Sequence, residues 1–337
     1  MTGQNAAAHE RVLRYSLVIP VYNEEAMLPL LLHRIVKLLD QLDGSAEAIF
    51  VDDGSHDTGS IFLRGAVRID SRLRLIELSR NFGHQIAITA GMNAARGEAV
   101  VVMDADLQDP PEVVLELIAK WKEGFDVVYA RRILRQGETL FKRATANLYY
   151  RVLSAMTTVP IPRDVGDFRL VSRQALDAFK SMPESDRFVR GMFAWIGFRQ
   201  AEVLFERPPR MAGETKYPLW KMVKLAIHGM LSFSEKPLRM ALWAGLTICF
   251  LAISFGIYAV IFKLLGGAMV DGWASTVVLV SFLSGINLFM TGVVGLYVGG
   301  IHAEVKRRPL YIVAHDTGRQ TEVAATGTQT GHRNVAS

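Results

Sequence analysis

The stretch Ser16-Leu-Val-Ile-Pro-Val21, followed by the polar turn Tyr22-Asn23-Glu24-Glu25 and by helical apolar spacing over about 24–41, is the unit whose recurrence decides the fold. An unbroken apolar, β-branched run reads as a strand covered on both faces, and the amphipathic stretch after it reads as the helix that covers it. The unit returns with the runs Ala48–Asp52, Leu73–Leu78, Ala99–Asp104 and Phe125–Ala130, with helical periodicity at about 58–69, 84–96 and 111–123. That alternation predicts an α/β fold with a Rossmann-like, mostly parallel sheet. Ligands in such sheets lie at the carboxyl ends of the strands. There the chain carries Asn23-Glu24-Glu25, Asp52-Asp53-Gly54-Ser55 and Asp104-Ala105-Asp106.

The chain has 337 residues, room for one α/β domain of about 200 to 250 residues and something smaller beside it. Hydrophobic residues make up 50% of it and the mean hydropathy is +0.21, with the apolar excess concentrated near the C-terminus. Between Arg239 and Lys263 lie 23 uncharged residues, and between Asp271 and Glu304 lie 32 more. Each run exceeds the roughly 20 residues that cross a bilayer core, so two transmembrane helices are expected over 238–303. A helical hairpin buried in a soluble core rarely runs uncharged for so long.

Residues 1–14 contain no apolar signal-peptide core, so the N-terminal domain is expected in the cytoplasm. Lys236 and Arg239 precede the first span and Lys306, Arg307 and Arg308 follow the second, while the intervening loop holds only Lys263 and Asp271. The positive-inside rule then puts both termini on the cytoplasmic face of a cell membrane. The single cysteine, Cys249, lies inside the first span and excludes an intrachain disulfide or a Cys-based metal site. The net charge is +5 and the pI near 9.3. The basic residues adjoin the spans and the phosphate-binding candidates rather than forming a Lys/Arg tract, so the charge is read as serving anionic lipid and phosphate, with no nucleic acid.

Beyond Arg132 the alternation loosens into a helix at about 137–157 and short strands near Phe168–Val171 and Ala201–Glu206. Over Tyr217–Phe233, Lys221, Lys224 and His228 recur at i, i+3 and i+7 with apolar residues largely elsewhere, the pattern of an amphipathic helix lying on a membrane surface. Residues 1–14 and about 313–337 lack apolar periodicity and read as mobile polar tails. The expected organisation is a tail over 1–14, the α/β domain over 15–215, the interfacial helix over 216–236, the two-helix hairpin over 238–303 and a cytoplasmic polar tail over 304–337.

Asp104 and Asp106 stand two apart where a strand ends, so extended geometry projects both side chains to one side. Two carboxylates with substrate phosphates are a common way to hold Mg2+ or Mn2+; an Asp pair also serves simply to end a strand. Asp109-Pro110-Pro111-Glu112 has the form of a capping box before the helix Val113–Trp121, which assigns Asp109 to structure and leaves Asp104 and Asp106 without a capping role. Asp52 and Asp53 offer acceptors where a base and ribose could bind, while Ser55 and Asp57 read as the turn and cap of the next helix.

Together the segments Pro20-Val-Tyr-Asn-Glu24, Val51-Asp-Asp-Gly-Ser55, Leu78-Ser-Arg-Asn-Phe-Gly83 and Met103-Asp-Ala-Asp-Leu-Gln-Asp-Pro-Pro111 resemble the family 2 inverting glycosyltransferases of GT-A fold, in the right order over roughly 15–235. Asp164-Val-Gly-Asp-Phe-Arg169, Gly213-Glu-Thr-Lys-Tyr217 and the two apolar runs look like the branch that acts on dolichyl and undecaprenyl phosphate, which includes dolichyl-phosphate mannosyltransferases and bactoprenol glucosyltransferases. The Gln-x-x-Arg-Trp signature of processive polysaccharide synthases is absent. The resemblance implies that Asp52 and Asp53 contact the nucleotide in a pocket lined by Pro20, Tyr22 and Glu24. It implies that Asp104, Asp106 and Gln108 hold the metal on the diphosphate, and that Arg131 or Arg132, Arg143 and Lys216 meet donor or acceptor phosphates. For each of these cations a solvated surface side chain is the alternative. Asp167 is implied as a catalytic residue, with a structural hydrogen bond as the alternative.

The expected activity is therefore metal-dependent, inverting transfer of a hexose from a UDP-glucose-like or GDP-mannose-like donor to undecaprenyl phosphate. The implied partners are the nucleotide-sugar, the polyprenyl phosphate, the lipid membrane and, as an open alternative, a second copy in a homo-oligomer. Two rival readings remain at this stage. One is transfer to a hydroxyl acceptor with Asp167 as base; the other is a non-catalytic scaffold that binds nucleotide-sugar, against which intact Asp104 and Asp106 argue.

Overall fold

A computed structural model describes residues 13–133, 165–206, 236–265 and 272–318. They fall into two compact units, one holding the described residues up to Phe205 and Glu206 together with 308–318, the other holding 236–265 and 272–307.

The first unit is an eight-stranded sheet in the order β7-β5-β6-β4-β1-β2-β3-β8. Its first half is the expected alternation: β1 (Tyr15–Val21), α1 (Leu28–Gln41), β2 (Ala46–Asp52), α2 (Gly59–Ile69), β3 (Leu73–Leu78), α3 (His84–Ala94), β4 (Ala99–Val102) and α4 (Val113–Lys122). These four strands pair in parallel, in the register Val18↔Ile49, Val18↔Val102 and Phe50↔Leu75. Leu17, Ile19, Phe50 and Val101 of one face join Leu31, Ile35, Leu63 and Leu117 of the covering helices in a single buried cluster. On the other face α3 lies against the sheet, with Gly91 facing Val18 and Val51.

The second half departs from parallel pairing. Strand β5 (Val127–Arg132) is followed by β6 (Val165–Ser172), α5 (Arg173–Ser181), α6 (Val189–Ile196) and β7 (Gln200–Phe205). Strand β6 inserts antiparallel between β4 and β5, while β7 pairs parallel with β5. The sheet is thus mostly parallel, as the sequence pattern requires. The β5–β6 ladder shifts register between Tyr129 and Arg131, an irregularity of the kind that re-aims the side chains after it.

Residues 313–316, read from the sequence as part of a polar tail, instead form β8 (Val313–Asp316), antiparallel to β3. Arg74 holds Asp316 through Nε at 2.9 Å and Nη2 at 2.8 Å, the Leu75 N–H donates to Thr317 Oγ1 at 3.0 Å, and the Ser79 N–H donates to Ile312 O at 2.9 Å. This four-residue strand covers what would otherwise be the open edge of β3.

The second unit contains α7 (Lys236–Leu264) and α8 (Trp273–Val305). The segment Val278–Val305 of α8 is long and apolar enough to cross a membrane, whereas the apolar stretch of α7 among the described residues, Leu242–Phe255, is shorter. One candidate span is present there instead of the two expected. Trp243, Phe250, Leu288 and Phe289 are all exposed, so among the described residues these helices present large apolar side chains that a soluble core would bury. The expected helix at 137–157 lies outside the described residues, as does the expected interfacial helix except for Lys236.

Candidate active site

The carboxyl ends of β1, β2 and β4 converge on a cavity of about 260 Å3 that brings together Pro20, Tyr22, Glu24, Asp53, Asp104 and Asp106. Pro20 follows from the register: the Met103 N–H donates to Val18 O, so β1 bonds toward β4 through its even residues. The nitrogen of Pro20 therefore faces past the last β1–β4 pair, where the missing N–H breaks no ladder bond. Tyr22 is 43% exposed at the mouth. The turns after β1 and β2 are stitched together, with the Asn23 N–H donating to Ser55 Oγ at 3.0 Å and the His56 N–H to Asn23 Oδ1 at 2.9 Å. Asp57 accepts from the Gly59 N–H at 3.1 Å, in keeping with its expected turn role.

Asp52 and Asp53 are both buried, and backbone N–H groups occupy them. Asp52 Oδ1 accepts from Ser55 at 3.0 Å, while Asp53 accepts from Phe82 through Oδ1 at 2.7 Å and from Gly83 through Oδ2 at 2.9 Å. Burial raises the Asp53 pKa against the effect of those two bonds. Asp53 thus clamps the loop that leads into α3. Gly54 makes that approach possible: its φ is +70°, and a Cβ there would stand 2.5 Å from the Arg80 carbonyl carbon. Asp52 faces not the first cavity but an adjoining one of about 950 Å3 that also reaches Arg80 and His315.

Asp104 is in a different condition. Its Oδ1 is shut off from solvent without a hydrogen bond, and His84 Nε2 lies 3.3 Å from it. Burial raises the Asp104 pKa, the His84 charge opposes this, and the charges of Asp167 and Asp106 add to it. A buried carboxylate oxygen with an open lone pair beside a second carboxylate is a fit for a divalent cation. Among the described residues no three His, Cys, Asp or Glu side chains gather to complete a protein-only site. A cation held here would have to take its remaining ligands from substrate oxygens, as Mg2+ and Mn2+ do with phosphates. Gln108 is buried and does not line the cavity; its backbone N–H donates to Asp106 Oδ1 at 3.0 Å.

The capping box expected at Asp109 does not form. Helix α4 starts at Val113 with Glu112 in the cap position and no side-chain cap bond, and Glu112 is paired with Arg34 through Nη2 at 2.5 Å. The Asp104 N–H lies beyond the last paired residue of β4, Val102. Asp109, 1% exposed, accepts that N–H through Oδ2 at 3.3 Å. Burial and then the charge of Asp104 raise its pKa to about 7. Between the two aspartates Leu107 has φ +57°. The left-handed conformation costs about 1–2 kcal/mol, and full burial of a leucine side chain, worth about 1.5–3 kcal/mol, offsets it.

Asp167 sits on β6, 5% exposed, as the centre of a polar hub. It accepts from Gln85 Nε2 at 2.9 Å and from Arg190 Nε at 2.9 Å and Nη2 at 3.3 Å; His84 Nε2 is 3.4 Å away and Arg169 Nη2 3.7 Å. Burial works to raise its pKa, but the His84 hydrogen bond and the arginine charges prevail and hold it well below the usual carboxylate range. Such a group is a poor general base. His84, the first residue of α3, bridges Asp104 and Asp167. Burial works to lower its pKa, and the Asp167 hydrogen bond and the Asp104 charge outweigh it, leaving it raised. Sequence reasoning missed His84, Gln85 and Arg190. The only available signal was that His84 directly follows the Leu78–Gly83 segment.

Of the two adjacent arginines, Arg131 pairs with exposed Glu202 at 3.1 Å. Arg132 keeps its Nε buried without a partner, and its charge acts on both Asp104 and Asp109. Its guanidinium passes over Gly166, where a Cβ would stand 3.1 Å from Nη2. Arg143 and Lys216 lie outside the described residues.

The family described as Glycosyl transferase family 2 matches residues 16–179. The chain is 49% identical over 308 residues to the Bacillus subtilis protein named uncharacterized glycosyltransferase YkcC, covering 91% of this chain and 95% of that one. It is 37% identical over 301 residues to the bactoprenol glucosyl transferase of Shigella phage SfII, covering 89% and 97%. Among solved structures, a mannosyltransferase from Pyrobaculum calidifontis in complex with GDP-Man and Mn2+ superposes with a TM-score of 0.44 at 18% identity, over 87% of this chain and 86% of that one.

Proposed function

The chain belongs to glycosyl transferase family 2, and on that premise we propose that it moves a sugar from a nucleotide-sugar to polyprenyl phosphate with inversion at the anomeric carbon. The observation that carries this reading is the 37% identity to a bactoprenol glucosyl transferase over 301 residues, an alignment far longer than the family match over 16–179.

In this reading the GT-A domain over 15–215 takes the donor in the cavity between β1, β2 and β4. Pro20, Tyr22 and Glu24 line the nucleotide end, with Asp52 and Asp53 shaping it from the β2 side. Asp104 and Asp106, backed by Gln108, would hold Mg2+ or Mn2+, which neutralises charge on the departing diphosphate. Arg132 contributes positive charge at the same end, and Arg143 and Lys216 complete the phosphate contacts.

An acceptor phosphate oxygen attacks the anomeric carbon, the bond from that carbon to the diphosphate oxygen breaks, and a nucleoside diphosphate leaves. A phosphate monoester has a second pKa of about 6, so it arrives mostly ionised and needs no base. The reading agrees with an Asp167 whose oxygens are taken by Gln85 and Arg190. Transfer to a hydroxyl acceptor, which requires a competent base, loses support from the same observation.

The membrane part of the proposal is a two-span hairpin over 238–303, built on the candidate span in α8. The helix over 216–236 lies on the membrane surface, and both termini are cytoplasmic. The test presents the purified full chain with UDP-glucose or GDP-mannose and with undecaprenyl phosphate or diacylglycerol. Product on the lipid phosphate is the expected result. Product on diacylglycerol alone would overturn the acceptor assignment.

A further inference from the structure

We propose that Asp109 is a positioning residue for the cation site: it fixes the backbone of Asp104 so that the Asp104 and Asp106 carboxylates stay turned into the same cavity. The inference rests on the reading that those two residues hold a divalent cation.

The loop from Asp104 to Asp109 is closed by two of its own carboxylates. Asp106 Oδ1 accepts from the Gln108 N–H at 3.0 Å, and Asp109 Oδ2 accepts from the Asp104 N–H at 3.3 Å. Between them Leu107 is buried in a left-handed conformation that a leucine does not adopt unless its surroundings impose it. The last β4 residue in the β1 ladder is Val102, so strand pairing does not hold Asp104. Its N–H depends on Asp109. Asp109 does not line the cavity and so acts on the site through Asp104. Its remaining oxygen, Oδ1, is buried without a partner, as are Asp104 Oδ1 and Arg132 Nε. A buried acid that satisfies only one backbone N–H is a poor choice for stability alone.

The experiment measures Mn2+ binding to the full chain in the presence of UDP, by electron paramagnetic resonance, for the intact protein, Asp109→Ala and Asp109→Asn. Thermal midpoints are recorded beside it. Asparagine keeps an acceptor for the Asp104 N–H and alanine does not. The expected result is Mn2+ affinity about tenfold weaker or worse in Asp109→Ala and within about threefold of the intact protein in Asp109→Asn. The turnover number should follow the same order, with KM for the polyprenyl phosphate unchanged. Intact affinity in Asp109→Ala overturns the proposal. So does an Asp109→Asn protein as weak as the alanine variant is expected to be, at an unchanged midpoint, and this arm decides the matter if the alanine variant does not fold. If the intact chain binds no Mn2+, the cation reading itself fails, an outcome distinct from failure of the variants to differ.

Discussion

Two acidic pairs stand at the ends of the two strands that flank β1, Asp52-Asp53 at the end of β2 and Asp104 with Asp106 after β4, and the sheet treats them differently. In the first pair the oxygens of Asp53 and one oxygen of Asp52 receive backbone N–H groups at 2.7–3.0 Å. In the second, one oxygen of Asp104 is buried with no hydrogen bond at all. Backbone bonds of this kind hold a loop in place, while an unsatisfied buried oxygen is costly unless something binds there. Asp106, like Asp52, accepts one backbone N–H, so the contrast in hydrogen-bond occupancy lies between Asp53 and Asp104, and on the proposed reading it separates scaffold from ligand site.

The largest effect should come from Asp104 and Asp106. Asp104→Asn or Asp106→Asn is expected to lower turnover by about a hundredfold or more with the thermal midpoint nearly unchanged, and chelation of divalent cations should do the same to the intact protein. Full activity of either variant, or in chelator, would erase the contrast between the pairs. Asp53→Ala should behave the opposite way, losing about 1–3 kcal/mol of stability because two N–H groups are left unpaired. Its measure is the denaturation midpoint beside the KM for donor. A variant with intact stability and lost turnover would move Asp53 to the chemistry.

His84 sharpens the comparison through pH. Its folded pKa is raised above the ordinary 6.5, so the stability it contributes is fully present below that value and is lost as pH rises through the folded pKa. The midpoint difference between the intact protein and His84→Gln should therefore be full below the ordinary pKa and shrink as pH rises through the raised folded one. A constant difference would mean that His84 does not titrate against Asp104 and Asp167. The smallest effect belongs to Arg131→Ala, which removes an exposed ion pair with Glu202. That change should cost less than about 1 kcal/mol and leave turnover intact.

The parallel half of the sheet was legible because each strand is an unbroken apolar run and each helix has its own period, both local signals. The same runs fixed where Pro20, Asp52 and Asp104 would lie. Strand β8 was not legible, since four residues with His315 and Asp316 among them carry no period-2 pattern, and what holds them is Arg74, far away in sequence. Asp109 was misread because a capping box is a pattern of residue types and does not record that Asp109 turns back to the Asp104 N–H while Glu112 pairs with Arg34. His84 and Arg190 reach the site only through the packing of α3, β6 and α6, which no spacing encodes. The apolar C-terminal runs were legible as apolar, but the described helices provide one segment of spanning length, Val278–Val305, rather than two.

The most direct test of the account follows the bond that forms. The purified full chain in detergent is given undecaprenyl phosphate, a divalent cation and the better of UDP-glucose and GDP-mannose, and the lipid fraction is examined by phosphorus and proton NMR. The phosphomonoester signal should be replaced by that of a phosphodiester carrying a β-linked sugar, in step with release of nucleoside diphosphate. An unchanged phosphomonoester while the nucleotide-sugar is consumed, or an α-linked product, would contradict the account.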